Sequence, residues 1–217
     1  MKHLAFAVCA LLGLNGCVGN LMHSMNKVHE EVTQSVSMSQ PGTVTVKNQA
    51  GQIRIIVWDK PRVDVDARKS GADQNALRAI TVSTTKHGND VAIETLYGEG
   101  THSGGVDYTI HVPTTSSIDV SNTAGLIEAS GLTANVHAES SAGSVRIEMA
   151  KLSGNQSVGI DATVGEALLT VPKGANATFR TSTTIGDAKN DAGSTMGNGS
   201  AKVTVGTTVG SVKIRVQ

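Results

Sequence analysis

The chain has 217 residues, and its 18 Lys and Arg residues balance 18 Asp and Glu residues. This length allows one domain with a substantial core, and the absence of net charge gives no general field for nucleic acid or an anionic membrane surface. Aromatic residues make up only 2% of the chain, whereas Gly reaches 24 residues. Such a composition argues against an aromatic-rich core and predicts an ordered all-β protein with a narrow core of small and β-branched side chains.

The first 16 residues predict a lipoprotein signal peptide. Lys2 precedes an apolar run over 4–14, which has the length of an export-signal core and is too short to span a bilayer as a stable helix. The run ends in LNGC (14–17), which resembles a bacterial lipobox. That resemblance implies cleavage before Cys17, diacylglycerol on its thiol, and an acyl chain such as palmitate on its amine.

The cysteine content supports lipid attachment. Cys9 leaves with the signal peptide, so the mature chain keeps one Cys, at its first residue, and cannot form an internal disulfide. In an exported chain this favours Cys17 as a lipid attachment point over an ordinary signal peptide followed by an incidental Cys. Val18, where an Asp would signal retention, resembles the Gram-negative route to the outer membrane. Residues 17–28 are then a lipid-anchored tether and residues 29–217 a single β-repeat domain.

A short phrase recurs along this domain: two mostly polar residues, an apolar residue, Gly, any residue, and then an alternating strand pattern. Its last five glycines are separated by 18, 22, 21 and 24 residues, and a period near twenty is typical of solenoids. Each repeat is expected to contain two short strands, with the Gly in a turn of positive φ or where the backbones stack too closely for a Cβ. The six glycines are Gly51, Gly125, Gly143, Gly165, Gly186 and Gly210.

The apolar residues alternate along the strand segments. In SVRIEM (144–149), Val145, Ile147 and Met149 face one side, and SVKIRV (211–216) repeats the pattern. A period of two predicts half-buried strands, and stacked repeats of this kind would match their small side chains along one axis. The sequence therefore predicts an irregular β-solenoid or β-helix-like fold, with SVKIRV as an open edge strand guarded by its outward Lys213 and Arg215.

The order of these motifs resembles the bacterial "putative adhesin" β-repeat family of unknown function. The matching features are GTVTVKNQAGQIRIIVWDKPRVDVDARKSG (42–71), the strand pair in AITVSTTKHGNDVAIET (79–95), and the glycine-containing repeats that run to the C-terminus. The resemblance covers residues 29–217 and implies a β-solenoid-like fold in cell-envelope lipoproteins. It implies no catalytic residues.

The histidines predict no metal site. None pairs with Cys or has the HxxxH spacing of a helical zinc site. YGEGTHSGG (97–105) lacks a GK[ST] ending and leads into a strand, which favours a flexible loop over a phosphate site. The six histidines of the mature chain are His23, His29, His87, His102, His111 and His137.

The acidic residues likewise point to no clear active site. Asp64 and Asp66 share one strand face and, with Asp59, could form a calcium site or an acid pair, but the interleaved Lys60 and Arg62 favour a charge-balanced solvated face. No GxSxG motif marks a nucleophile, and no cofactor motif occurs.

Trp58 is the remaining candidate contact residue. Ile53, Ile55 and Val57 alternate inward, which leaves Ile56 and Trp58 outward. An outward indole is either a binding contact or is covered by the N-terminal segment acting as a cap, and the need of end repeats for covering favours the cap.

Two classes of function follow. The first is a non-enzymatic envelope lipoprotein used for adhesion, scaffolding or envelope-stress interactions, with the membrane and an envelope or surface protein as partners and no nucleic acid or small-molecule substrate. The alternative is a polysaccharide-active β-helix enzyme, which requires clustered carboxylates and aromatic platforms. The scarcity of aromatic residues favours the first class.

Overall fold

The computed structural model describes residues 27–39, 41–98 and 104–217. The predicted lipobox, Cys17 and nearly all of the tether lie outside these residues. Among the described residues, thirteen strands and one short helix follow one another along the chain. They are β1 (Val28–Ser37), β2 (Thr43–Ala50), β3 (Ile53–Trp58), β4 (Arg62–Gly71), α1 (Gln74–Arg78), β5 (Ile80–His87), β6 (Asp90–Tyr97), β7 (Gly105–Pro113), β8 (Ser117–Leu132), β9 (Val136–Met149), β10 (Ser157–Val171), β11 (Ala177–Asn190), β12 (Thr195–Met196) and β13 (Ala201–Val216).

All the described strands belong to one open sheet, which confirms the all-β prediction. The main path through the sheet is β1-β4-β7-β3-β8-β9-β10-β13-β11-β12, and β2, β6 and β5 form a branch from β8. At the N-terminal end, β1–β4, β4–β7 and the β5–β6 hairpin predicted from the sequence are antiparallel. The pairs formed by β2 and β3 are parallel. The long strands β8, β9, β10, β13 and β11 are all parallel.

Each glycine repeat of the second half is one long strand, where the sequence analysis predicted two short strands joined by a turn. β8, β9, β10, β11 and β13 each have 14 to 16 residues and continue as one strand through the Gly. Around each Gly, only the residue two positions before it has no register partner in the neighbouring strand. The alternation of buried residues changes phase at the Gly. In β10, for example, Val158 and Ile160 are buried before Gly165, and Ala167 and Leu169 after it. The Gly therefore marks a bend inside the strand that lets both arms face the same core.

The prediction of an open edge at the C-terminal strand is wrong. β13 lies between β10 and β11 and pairs in parallel with both. The edge of this part of the sheet is formed by β11, on which the two-residue strand β12 pairs only at Ala177 and Thr178. The alternation predicted for SVKIRV is confirmed, since Val212 and Ile214 are buried. The strand is internal because the chain forms β11 first and then returns to place β13 between β10 and β11.

The core is a single cluster of Val, Ile, Leu, Ala and Met side chains with two aromatic members, Tyr108 and Phe179. The predicted inward residues of the N-terminal strands are buried, including Val63 and Val65 of β4 and Ile53 and Ile55 of β3. The helix α1 was not predicted; its five residues begin after Asp73, whose carboxylate accepts a hydrogen bond from the Ala76 N–H. No helix in the described ranges has the length and hydrophobicity to cross a membrane.

Candidate functional site

The repeat glycines form a column at the bends of the strands. All six have positive φ, from +120° at Gly51 to +143° at Gly210, and Gly125, Gly143, Gly165, Gly210 and Gly186 are register partners in successive strands. A Cβ on Gly165 would overlap the carbonyl oxygen of Gly143, and one on Gly210 would overlap that of Gly165. The glycines thus allow both the positive-φ backbone conformation and the close approach of neighbouring strands. Both roles are structural.

A narrow apolar ridge runs beside the glycine column on the outside of the bend. Its members precede the glycines, and they pair in register from Ala124 through Ala142 to Val164, Val209 and Ile185. The side chains are larger toward β11, and the outermost, Ile185, is the most exposed of the three large ones at 63%. This ridge is the apolar position of the repeat phrase, which alternation alone would have placed in the core. Its exposed end makes it a candidate contact surface.

A polar network lies on the inner side of the same bends and was missed by the sequence analysis. Asn48 is buried and donates its side-chain amide to the carbonyl oxygens of Val106, at 2.9 Å, and Ala50, at 3.1 Å. Its Oδ1 accepts from the Thr95 hydroxyl at 2.8 Å, and that hydroxyl shares a 2.7 Å hydrogen bond with the Tyr108 OH. These bonds satisfy backbone carbonyls freed at the bend, a structural role. The sequence signal was the Asn that opens both NQAG (48–51) and NTAG (122–125).

Tyr108 gives a measurable consequence of this burial. Burial raises the pKa of Tyr108 to about 12, although its hydrogen bond with Thr95 acts in the opposite direction. The unfolded tyrosine ionises near pH 10, so the stabilisation is complete below that pH and is lost as the pH rises to about 12, by roughly 2–3 kcal/mol. In a Tyr97→Phe background, which leaves one tyrosine, we expect the tyrosinate absorbance of the folded protein to appear near pH 12. A titration midpoint near 10 before unfolding would contradict the buried placement.

Trp58 lies half-buried on the outer face of β3 among polar and cationic neighbours. Its Nε1 donates to the Arg62 carbonyl oxygen at 2.9 Å, and its ring stacks on His111 with 4.9 Å between centroids. The Lys60 Nζ lies 4.6 Å and the Arg62 Cζ 5.2 Å from the indole centroid, within the range of cation–π contacts. The predicted covering by the N-terminal segment involves residues outside the described ranges. The described neighbours hold the ring in place and leave part of it exposed.

The carboxylates that could have formed an acid pair are engaged separately. Asp64 makes a bidentate ion pair with Arg62, with contacts of 2.9 and 3.0 Å, and accepts from Ser35 at 2.6 Å. The hydrogen bond from Arg62 lowers the pKa of Asp64 below its usual value. Asp66 accepts from Thr33 at 3.1 Å. The charge-balanced face predicted for this strand is what the structure contains.

The outer face of the repeat strands carries further ion pairs between neighbouring strands. Arg54 contacts Glu128 at 3.0 Å and Arg146 contacts Glu166 at 3.3 Å. Exposed pairs of this kind contribute little to stability, but they make the face polar. His137 contacts Glu139 at 2.9 Å on the same side of the sheet. Across the described residues, no three His, Cys, Asp or Glu side chains converge as a metal site; His23 and His102 lie outside those residues.

Lys69 is a charged core residue that alternation did not single out. It is buried on β4, and its Nζ contacts the Glu30 carboxylate at 2.8 Å and the Ile80 carbonyl oxygen at 3.1 Å. A buried ammonium needs such partners to offset its lost hydration. Lys69 therefore ties β1 and the start of β5 to β4, which is a structural role.

Comparison with known proteins finds likeness in fold. The sequence matches no protein-family model and no curated protein. The structure is similar to that of a putative cell adhesion protein from Clostridium sporogenes, with a TM-score of 0.69 and 14% identity over 88% of this chain and 100% of the other. A putative adhesin from Bacteroides fragilis matches with a TM-score of 0.35 and 14% identity over 85% of this chain and 97% of the other. The first likeness shows a shared fold and confirms, at the level of fold, the resemblance to the "putative adhesin" β-repeat family.

Proposed function

We propose that this protein is a non-enzymatic cell-envelope lipoprotein whose stacked, solenoid-like sheet serves as a rigid scaffold for adhesion or for contact with other envelope proteins. A lipid on Cys17 holds the chain at the outer membrane, facing either the periplasm or the surface. The observation that carries the proposal is the order of the strands: β1, next to the tether, lies at one end of the strand path, and β11, followed only by the two-residue β12, lies at the other.

This arrangement suits display of a binding end away from a membrane. Eight strand-to-strand steps separate β1 from β11 along the path, which at about 4.8 Å each gives roughly 40 Å. The outer face between the two ends is polar and carries ion pairs such as Arg54–Glu128. The end at β11 instead presents exposed Ile185 and unpaired backbone. Contact through that end would leave the faces solvated.

A polysaccharide-active enzyme, the alternative from the sequence, finds less support in the described residues. Sugar rings are usually held on exposed aromatic platforms, but Tyr108 and Phe179 are buried and Trp58 is stacked on His111. Asp64 is engaged by Arg62. The shared fold does not by itself assign an activity.

The anchor is tested by cell fractionation of the full chain. We expect the wild-type protein to incorporate a labelled fatty acid and to sediment with membranes, and Cys17→Ser to lose both properties, because the acyl chains supply the membrane affinity. Cys9→Ser is the matched control and should behave as wild type, since Cys9 leaves with the signal peptide. Retention of Cys17→Ser in the membrane without label would contradict the proposed anchor.

The direction in which the domain faces is tested in the same strains. Protease is added to intact and to permeabilised cells, and loss of a C-terminal tag on the protein measures its digestion in each. Digestion of intact cells supports adhesion at the surface, and protection until permeabilisation supports scaffolding within the periplasm. Recovery of the domain in the cytoplasm would contradict both forms of the proposal.

A further inference from the structure

The strand β11 has an open edge over most of its length. Beyond Thr178, no described strand pairs with its outer side. The Phe179 N–H donates outward to Ser194, so by alternation the N–H groups of Thr181 and Thr183 also point to the open side. In the second arm the Asp191 N–H donates to Ile214 of β13, so those of Asn190 and Ala188 point outward. Every residue from Thr184 to Lys189 is exposed.

By contrast with β11, the strand edges at the opposite end of the sheet are covered. The edges of β1 and β5 approach each other, where Gln34 donates its side-chain amide to the Val82 carbonyl oxygen at 3.4 Å. Lys86 also donates to the Ser37 carbonyl oxygen at 2.6 Å. Unpaired edges favour association with another strand unless they are blocked in such ways. The edge of β11 is covered at its start by β12 and Ser194. From Arg180 to Lys189, no described strand or loop forms backbone hydrogen bonds with its outer side, so a partner strand has access to it there.

The alternation of β11 permits pairing with a second copy of itself. In the first arm, Thr181 and Thr183 share the face of the buried Val205 and Thr207. In the second arm the phase is reversed, and Ala188 and Asn190 share the face of Val212 and Ile214. If the bend of one copy lies against the bend of the other in antiparallel orientation, Thr181 lies opposite Asn190 and Thr183 opposite Ala188. The side chains of each opposed pair then lie on the same face of the joined sheet. Their outward N–H and C=O groups point at each other and can form hydrogen bonds between the two copies.

The charges fit the same register. Arg180 lies on the outer, exposed face of the first arm. Asp191 is exposed directly after the end of the second arm, where its carboxylate contacts Lys189 of the same chain at 3.4 Å. The register that joins the two bends places Arg180 opposite Asp191 of the second copy, twice by symmetry, and places Lys189 opposite Ser182. Opposite charges across an antiparallel pair are favourable and like charges are not. At the centre, Ile185 of each copy would extend the apolar ridge across the junction and reduce its exposure.

We propose that two copies of this chain associate through the open edges of β11, antiparallel and bend to bend. The product is one continuous sheet in which the two β1 strands lie at opposite ends. Closed symmetry of this kind uses the same surface on both copies and ends the assembly at two. The association concerns the chain alone and needs no membrane, so its test is separate from that of the anchor.

The test uses reversed charges in the full chain, extracted in detergent and studied by sedimentation equilibrium. We expect a dimer for wild type and at least about tenfold weaker association for Arg180→Glu alone and for Asp191→Arg alone, because each places like charges opposite each other. An equimolar mixture of the two variants should recover the dimer, since the mixed pair restores opposite charges at both contacts. Lys151→Glu, at an exposed loop position, is the control and should leave association unchanged.

Three results would overturn the proposal. They are a wild-type chain that stays monomeric up to submillimolar concentration, a dimer that is indifferent to both reversals, and a mixture that remains monomeric. Circular dichroism of each variant checks that both exposed substitutions preserve the fold. Because the mixture contains only the two altered chains, recovery cannot be explained by refolding of either one.

Discussion

Substitution of Gly165 by Ala should destabilise the protein by about 3 kcal/mol or more. Gly165 has φ +140° at the centre of the glycine column, and a Cβ there would overlap the carbonyl oxygen of Gly143. The strain of an unfavourable backbone conformation therefore adds to a clash with a paired backbone, which a side-chain rotation cannot relieve. Chemical denaturation followed by circular dichroism measures the loss as a lower midpoint at unchanged slope.

Gly174→Ala is the matched control for this prediction. A Cβ on Gly174 would meet no heavy atom within 4 Å, and Gly174 is not among the glycines of positive φ. We expect its substitution to change the free energy of unfolding by less than about 1 kcal/mol in either direction. Equal effects of the two substitutions would contradict the assignment of Gly165 to a strained, closely stacked bend.

Replacement of Asn48 by Ala should cost about 2–4 kcal/mol of stability. Its side-chain amide and carbonyl groups serve the Val106 and Ala50 carbonyl oxygens and the Thr95 hydroxyl, and Asn48 is only 5% exposed. Removal leaves these groups buried without their partner, which costs more than the net value of the bonds themselves. The same denaturation experiment measures the effect.

Two further variants locate the source of that cost. Tyr108→Phe removes one hydroxyl but leaves the Asn48 contacts intact, so its cost should be nearer 1 kcal/mol. Asn155→Ala, at an exposed loop position, should have almost none. If Asn48→Ala lowered the free energy of unfolding as little as Asn155→Ala, the Asn48 side chain would not be what satisfies the backbone carbonyl groups at the bend.

The strands and their buried faces could be predicted because a period of two is a local property. Val145 and Ile147, or Val63 and Val65, are buried as their alternation predicts. The recurrence of Gly likewise indicated stacked repeats with special backbone conformation. The predicted number of strands in each repeat was wrong because a Gly that bends a strand and a Gly that ends a strand have the same local sequence pattern.

The order of the strands could not be read from the repeats. Consecutive strands usually lie side by side, so the expectation was that β13 would follow β11 at the edge. β13 instead lies between β10 and β11, and its Val203 and Val205 are buried in the core. β11 has few buried apolar residues. The polar phrase TTIGDAKN (183–190), less apolar than its relatives, was the available signal for the exposed strand.

Contacts between residues distant in sequence were equally hidden. Asn48 and Thr95 of the inner network are 47 residues apart, and Lys69 of β4 meets Glu30 on the neighbouring strand β1. Trp58 could be identified as outward by alternation, but its stacking on His111 depends on the pairing of β3 with β7. Such sites depend on register, which a single sequence does not specify.

Hydrogen exchange of the full chain tests most directly that β11, rather than the C-terminal strand, is the edge on which contact depends. The Arg180→Glu variant keeps the chain monomeric for this measurement. We expect amides of β13 around Val205 and Val212 to be protected as strongly as those of β10, and those of Thr181, Thr183 and Ala188 in β11 to exchange quickly. Rapid exchange throughout β13 together with strong protection of β11 would contradict the strand order and the interaction surface derived from it.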